Sequence, residues 1–199
     1  MGYMTYARLR DQPEKYEAFA LDVKREPSVR VPSAWTLEIP DERFHLCSLT
    51  DYAALRAAVE GMDVVVHLAA DPEGREWQSV LDNNIIGAYH LFEACREAGV
   101  ARIVAASSIM VSEGHREQEP YRAMMERRFD DIPDERPLIS PALPAEPRGI
   151  YGASKVWMES LARVYAPSPR PFLPLRAHRP GRARPASPAP RSGHLRQPA

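Results

Sequence analysis

Cysteine is scarce in this sequence. Cys47 and Cys95 are the only two and no C-x-x-C occurs, so neither a disulfide framework nor a cysteine-based zinc site is expected. The six histidines are scattered along the chain, which leaves no metal-ligand spacing. No apolar run approaches the roughly 18 residues that a membrane-spanning helix needs. The opening MGYMTYARLR has no apolar signal-peptide core, and Tyr6 stands where a myristoylation signal requires Ser or Thr. A cytoplasmic protein with neither a membrane partner nor a bound metal is therefore expected.

Acidic residues and lysine are both missing from the last stretch, PSPRPFLPLRAHRPGRARPASPAPRSGHLRQPA, which holds seven arginines and nine of the 20 prolines. Proline at that density excludes a helix interior or a central strand. A basic arm for nucleic acid, a solvated linker and the out-of-frame product of a GC-rich gene all fit such a composition, and the narrow residue set favours the last. The rest of the chain keeps 19 basic residues against all 27 acidic ones, a net charge of −8, so no nucleic-acid partner is expected of it. With 199 residues, 44% apolar and 27% charged, the chain has room for one domain with a real core. The division expected is 1–166 for that domain and 167–199 for an irregular Pro/Arg-rich tail.

What is present in the body alternates between strands and helices. KYEAFALD (15–22) reads as a short strand ending in an acid, and TDYAALRAAVEGM (50–62) as a helix capped by Thr50 and closed by Gly61. The β-branched run in DVVVHLAA (63–70) predicts a strand buried on both faces. A helix over about 77–98 follows, with Trp77, Leu81, Asn84, Ala88, Leu91 and Cys95 on one stripe and Gly99 at its end. ARIVAASS (101–108) is a further strand, and GIYGASKVWMESLARVYA (149–166) a further helix. This alternation predicts a parallel α/β sheet, in which ligands bind beyond the carboxyl ends of the strands. Those ends are Asp22, His67-Leu68-Ala69-Ala70 and Ser107-Ser108. His67 reads more simply as a packed strand-end side chain, and Asn84 reads equally as a structural amide or as a site residue.

Tyr151 and Lys155 lie four residues apart, on one face of their helix. A free phenol ionises only near pH 10, so it needs a cation beside it to work as a base at neutral pH. Isolated, the pair is ordinary helix surface. In order with ALD, HLAA, DNNIIGAYHLFEA, RIVAASS and YGASK, however, it resembles the extended short-chain dehydrogenase/reductases, the NAD-dependent epimerase/dehydratase family, over about residues 1–166. NNIIGAY, RIVAASS and YGASKVWMESLARVY are most similar to uronate dehydrogenases.

The resemblance implies a Rossmann-like, doubly wound parallel sheet and an NAD-dependent oxidoreductase or epimerase acting on a sugar or sugar nucleotide. It also allows a homodimer. Tyr151 would exchange a proton with the substrate, Lys155 would stabilise the phenolate and hold the nicotinamide ribose, and Ser108 would orient the reacting oxygen. Cofactor contacts would fall to Gly2, Asp22, Leu49, Leu68, Ala69, Ala70, Asn84 and Ser107, together with Tyr151 and Lys155. Asp22 would accept the adenosine ribose hydroxyls and so favour NAD over NADP. Lys24 and Arg25 leave a phosphate contact open.

The chain departs from the family pattern in several places. A strand and a G-x-x-G-x-x-G turn should come first, yet MGYMTYARLRDQ resembles only the end of that turn and its helix, with Gly2 as the last glycine. A start placed at an internal Met, or a fragment, is expected. The strands at 15–22 and 63–70 would then lack the neighbour that separates them, leaving a gap or an improvised pairing and little affinity for NAD. Between Ser108 and Tyr151 lies an acidic, Pro-rich insertion, which reads as a lid or an interface. Ile109 and Met110 stand where uronate dehydrogenases carry polar residues, and Ser48 where the family has an Asp beside the adenine. An inactive nucleotide-binding fragment is the alternative reading.

Overall fold

The computed structural model describes residues 1–26, 31–32, 37–135 and 138–166. The Pro/Arg-rich tail therefore lies outside the described residues. Residues Met1–Ala166 form one compact unit. In chain order its helices and strands are α1 (Gly2–Arg10), β1 (Ala20–Asp22), β2 (Phe44–Leu46), α2 (Tyr52–Ala58), β3 (Val64–His67), α3 (Trp77–Val80), α4 (Gly87–Ala98), β4 (Arg102–Ala105), α5 (Tyr121–Met125) and α6 (Ile150–Tyr165). A π-helical turn, Leu81–Ile86, joins α3 to α4, and a 3-10 segment, Ile109–Glu117, follows β4.

The strands pair in parallel, β1 with β2 and β3 with β4, with Val64 opposite Arg102 and His67 opposite Ala105. Parallel partners need long crossovers, and between β3 and β4 the helices α3 and α4 supply one. Among the described residues the two pairs remain separate sheets, β1–β2 and β3–β4. This is the gap expected between the strands at 15–22 and 63–70. The first of these is also shorter than its sequence suggests: the Lys15 and Tyr16 N–H groups donate to Gln12 O, so the segment begins in the turn after α1.

Two apolar clusters sit where helices cover β3–β4. Cys47, Leu49, Leu55, Val59, Leu91 and Cys95 form one, against which Val65 and Ile103 pack. Ala88, Phe92, Met158 and Leu161 form the other, beneath Ile103 and Ala105. The opposite face is open, with Val64, Val66 and Val104 at 51%, 37% and 49% exposure. Burial of the valine run on both faces is thus corrected to one face. A continuous β-branched run satisfies strand propensity whether one face is covered or two, so the sequence could not distinguish them.

The helix signals also need adjustment. Asp51, not Thr50, caps α2: its carboxylate accepts the Ala54 N–H at 3.0 Å, while Thr50 bonds Ser48. Asp and Thr are both good caps, and only the backbone conformation at Asp51 selects between them. Trp77, placed on the buried stripe, is 58% exposed, because it begins a four-residue helix before the π-turn shifts the register. The α4 end matches the sequence: Gly99 is left-handed (φ 74°), and the Gly99 and Val100 N–H groups close the last turn on Arg96 O and Cys95 O.

Candidate active site

α6 carries both Tyr151 and Lys155 and is pinned to the stretch after β4 at two points. The Lys155 ammonium donates to Ala106 O at 2.9 Å. One turn earlier, Gly152 lies so close to the same stretch that a Cβ there would stand 2.5 Å from Met110 O. Ser108 is midway between the two contacts, so the sequence-predicted Ser108, Tyr151 and Lys155 are brought to one strand end. The Lys155 Nζ sits 5.8 Å from the Tyr151 ring centroid. Ser108 itself caps the 3-10 segment, its Oγ accepting the Met110 N–H at 3.2 Å.

Burial shapes the charges here. Lys155 is buried, and desolvation lowers its pKa. His67, at the end of β3, is buried as well; desolvation first, and the Lys155 cation second, push its pKa down to about 4. A neutral imidazole exerts no net charge on Lys155 in return, which is why desolvation alone accounts for the lysine. The strand ends are tied together beneath them by the Ala106 N–H donating to His67 O.

Asn84 is a buried amide with a full set of partners. Its Oδ1 accepts the Asp71 N–H at 2.7 Å, and its Nδ2 donates to Asp71 O and to Ser154 Oγ, at 3.1 and 3.0 Å. Ser154 in turn donates to Tyr151 O at 2.7 Å. The amide is thus structural in its bonding, and what it joins is the loop after β3 to the Tyr151 turn of α6. Beyond it, Asp71 Oδ1 accepts the Glu73 and Gly74 N–H groups and Oδ2 accepts the Ser79 hydroxyl. The Ser79 bond holds the Asp71 carboxyl below its ordinary range; burial opposes it, and the two backbone bonds lower it further by lesser amounts. Asp71, Gly74 and Ser154 escaped the sequence reading. Ser154 lies inside YGASK and was legible there; Asp71 and Gly74 carry no motif.

The remaining sequence-predicted cofactor residues are spread over the strand ends. Asp22 ends β1 with its side chain exposed, while its carbonyl accepts the Cys47 N–H. Leu68, Ala69 and Ala70 lead out of β3 without regular structure. Leu49 has its side chain in the core, packed so tightly on α4 that a Cβ at Gly87 would meet it at 2.8 Å; its carbonyl is 3.0 Å from His90 Nδ1. Ser107 points away from the Tyr151 turn and donates to Glu159 of α6. Gly2 begins α1 with open space around it. The structure leaves Gly2 and Asp22 on elements that share no strand pairing with β3–β4. An open cavity of about 790 Å³ lined by Tyr6, Tyr16 and Arg43 includes none of these residues. Among the described residues no helix is long and apolar enough to cross a membrane.

Residues 1–178 match the NAD dependent epimerase/dehydratase family. A uronate dehydrogenase of Agrobacterium fabrum is 38% identical over 119 residues, which are 60% of this chain and 38% of that protein. The crystal structure of uronate dehydrogenase from Agrobacterium tumefaciens superposes with a TM-score of 0.56 at 30% identity, over 80% of this chain and 50% of that one. A short-chain dehydrogenase/reductase superfamily protein from the same organism, with bound NAD, gives 0.57 at 27% identity, over 81% of this chain and 40% of that one. The chain therefore spans half or less of the length of these relatives.

Proposed function

The chain belongs to the NAD dependent epimerase/dehydratase family, and from that premise we propose that it carries the proton-transfer half of an NAD-dependent oxidoreductase or epimerase acting on a sugar or sugar nucleotide. The observation that supports this reading is the double pinning of α6, by Lys155 on Ala106 and Gly152 on Met110, at points on either side of Ser108 in the chain, with a desolvated ammonium near the Tyr151 ring. Tyr151 exchanges the proton of a substrate hydroxyl, a role that fits its half-buried position. Lys155 acts on the phenol oxygen from a buried position, where water screens its charge less. Ser108 fixes the direction of the reacting oxygen, which is an orientation effect and needs no ionisation.

A bound nicotinamide dinucleotide would supply the hydride acceptor or donor. The residues fit its ribose ends: Asp22 presents an exposed carboxylate at a strand end, and Lys155 lies beside Tyr151. Asp22 disfavours a 2′-phosphate, which supports NAD over NADP. Arg25 is engaged elsewhere, paired with Asp41 at 3.0 Å and stacked over Phe44. Within this class a sugar acid is the substrate favoured by the likeness to uronate dehydrogenase. Ile109, 79% exposed directly after Ser108, adds an apolar group to the substrate side.

The test is a chimera in which the Agrobacterium fabrum relative supplies the length this chain does not span. Tyr151→Phe in it should lower turnover on the order of a hundredfold or more, the usual share of general acid and base catalysis. Unchanged turnover would overturn the assignment of Tyr151. Tighter binding of NADP than of NAD by the same chimera would move the choice of cofactor from Asp22 to Lys24.

A further inference from the structure

Beside Tyr151 lies a turn that the proposed chemistry does not use. Gly74 is left-handed, with φ +62°, and it approaches Tyr151 so closely that a Cβ there would stand 3.0 Å from the tyrosine Cβ and 3.5 Å from its nitrogen. The turn cannot drift away, because the Asp71 carboxylate takes the N–H groups of Glu73 and Gly74 at 2.9 and 3.4 Å and the Ser79 hydroxyl at 2.5 Å. Both backbone groups of Asp71 are held by Asn84, which also bonds Ser154, and Ser154 holds Tyr151 O. Tyr151 is thus fixed twice: through its own carbonyl from within α6, and at the stem of its side chain by Gly74.

We propose that Asp71 is a positioning residue for Tyr151, folding the 71–74 turn so that Gly74 serves as a backstop for the tyrosine side chain. This rests on the reading of Tyr151 as the proton-transfer group. A side chain in place of Gly74 would have to occupy the tyrosine's space and adopt a left-handed conformation, so the turn is specific in both backbone and volume. Neither the Cβ nor the backbone nitrogen of a tyrosine moves when its side-chain torsions turn, so a wall against these two atoms fixes where the ring leaves the helix and does not engage the hydroxyl. The expected signature is a change in ring environment in a chain that remains folded.

The test uses the 199-residue chain with ring-labelled tyrosine, observed by NMR, the Tyr151 signal being assigned from its loss in Tyr151→Phe. The Tyr52 and Tyr165 signals serve as internal standards of folding, since Glu97 and Glu93 hold those hydroxyls far from the turn. Asp71→Ala should shift or broaden the Tyr151 signal and leave the two standards in place. Asp71→Asn, whose amide oxygen still accepts the two N–H groups, should restore it. Gly74→Ala should displace it with Asp71 intact. If Asp71→Ala also disperses the standards, Gly74→Ala decides, because it keeps every bond of the Asp71 carboxylate and alters only the contact with Tyr151. A Tyr151 shift in Gly74→Ala with the standards in place supports the proposal, and no shift overturns it. An unmoved Tyr151 signal in folded Asp71→Ala and Gly74→Ala overturns it as well. The catalytic reading fails separately, through unchanged turnover of Tyr151→Phe.

Discussion

His67 shows how far a single side chain departs from its ordinary chemistry once it is packed. Its folded pKa of about 4 lies below the 6.5 of an exposed imidazole. The unfolded chain therefore takes up a proton at a pH where the folded chain does not. The neutral ring's contribution is complete above about pH 6.5, declines as the pH falls toward 4, and levels off below it, for a loss on the order of 3 kcal/mol. Urea melts between pH 7 and 4 should record that decline, and a titrating ring signal should place His67 near 4. Lys155→Met should raise the midpoint, because the second cause of the shift is the lysine charge. Gly152 is a different case, in which the constraint is volume. Gly152→Ala would drive a methyl to within 2.5 Å of Met110 O, and since backbone must yield, a loss of about 1 to 3 kcal/mol is expected in the same melts.

Among the elements, the helix from Trp77 to Ala98 decides the most, because its π-turn carries Asn84. One extra residue in the turn rotates the stripe, so that Trp77 is exposed while Asn84 points inward to Asp71 and Ser154. π-turns of this kind recur at functional sites. Asn84→Ala would leave the Asp71 N–H and carbonyl and the Ser154 hydroxyl short of a partner. Each buried group left unsatisfied costs roughly 1 to 3 kcal/mol, so the variant should melt markedly below the parent. Asn84→Asp keeps the acceptor and loses the donor, and should fall between them. The 3-10 segment and the insertion behave as one element for a similar reason: Gly114 N–H donates to Glu146 O at 2.7 Å, Glu146 N–H to Val111 O at 2.8 Å, and His115 Nε2 lies 3.0 Å from Pro144 O. The arms of the insertion are therefore anchored beside Ser108.

For the whole molecule, the separation of β1–β2 from β3–β4 is the dominant fact. Two-stranded sheets are marginal alone, and among the described residues each here has unpaired edges. With Val64, Val66 and Val104 exposed on one face, the chain should scatter light on warming, and Val64→Thr with Val66→Thr should delay that onset without lowering the melting midpoint. Its affinity for NAD should be low, since Asp22 ends β1, which among the described residues does not pair with the β3–β4 sheet that α6, the helix of Lys155, covers. A thermal melt of the 199-residue chain should show no rise with millimolar NAD. A single cooperative transition that does rise would contradict the separation of the two sheets.

The sequence by itself determined the alternation of strands and helices, the placing of Ser107 and Ser108 at a strand end, the shared face of Tyr151 and Lys155, and the family. These depend on short-range periodicity, on turn residues such as Gly99 and on motifs read in order. It did not determine that β3 is covered on one face, that Asp51 rather than Thr50 caps α2, or that Ser107 turns to Glu159. Nor could it place Asp71 and Gly74 against a tyrosine some 80 residues away along the chain. Periodicity constrains a residue relative to its neighbours in sequence, whereas each of these outcomes depends on a contact between segments that only packing brings together.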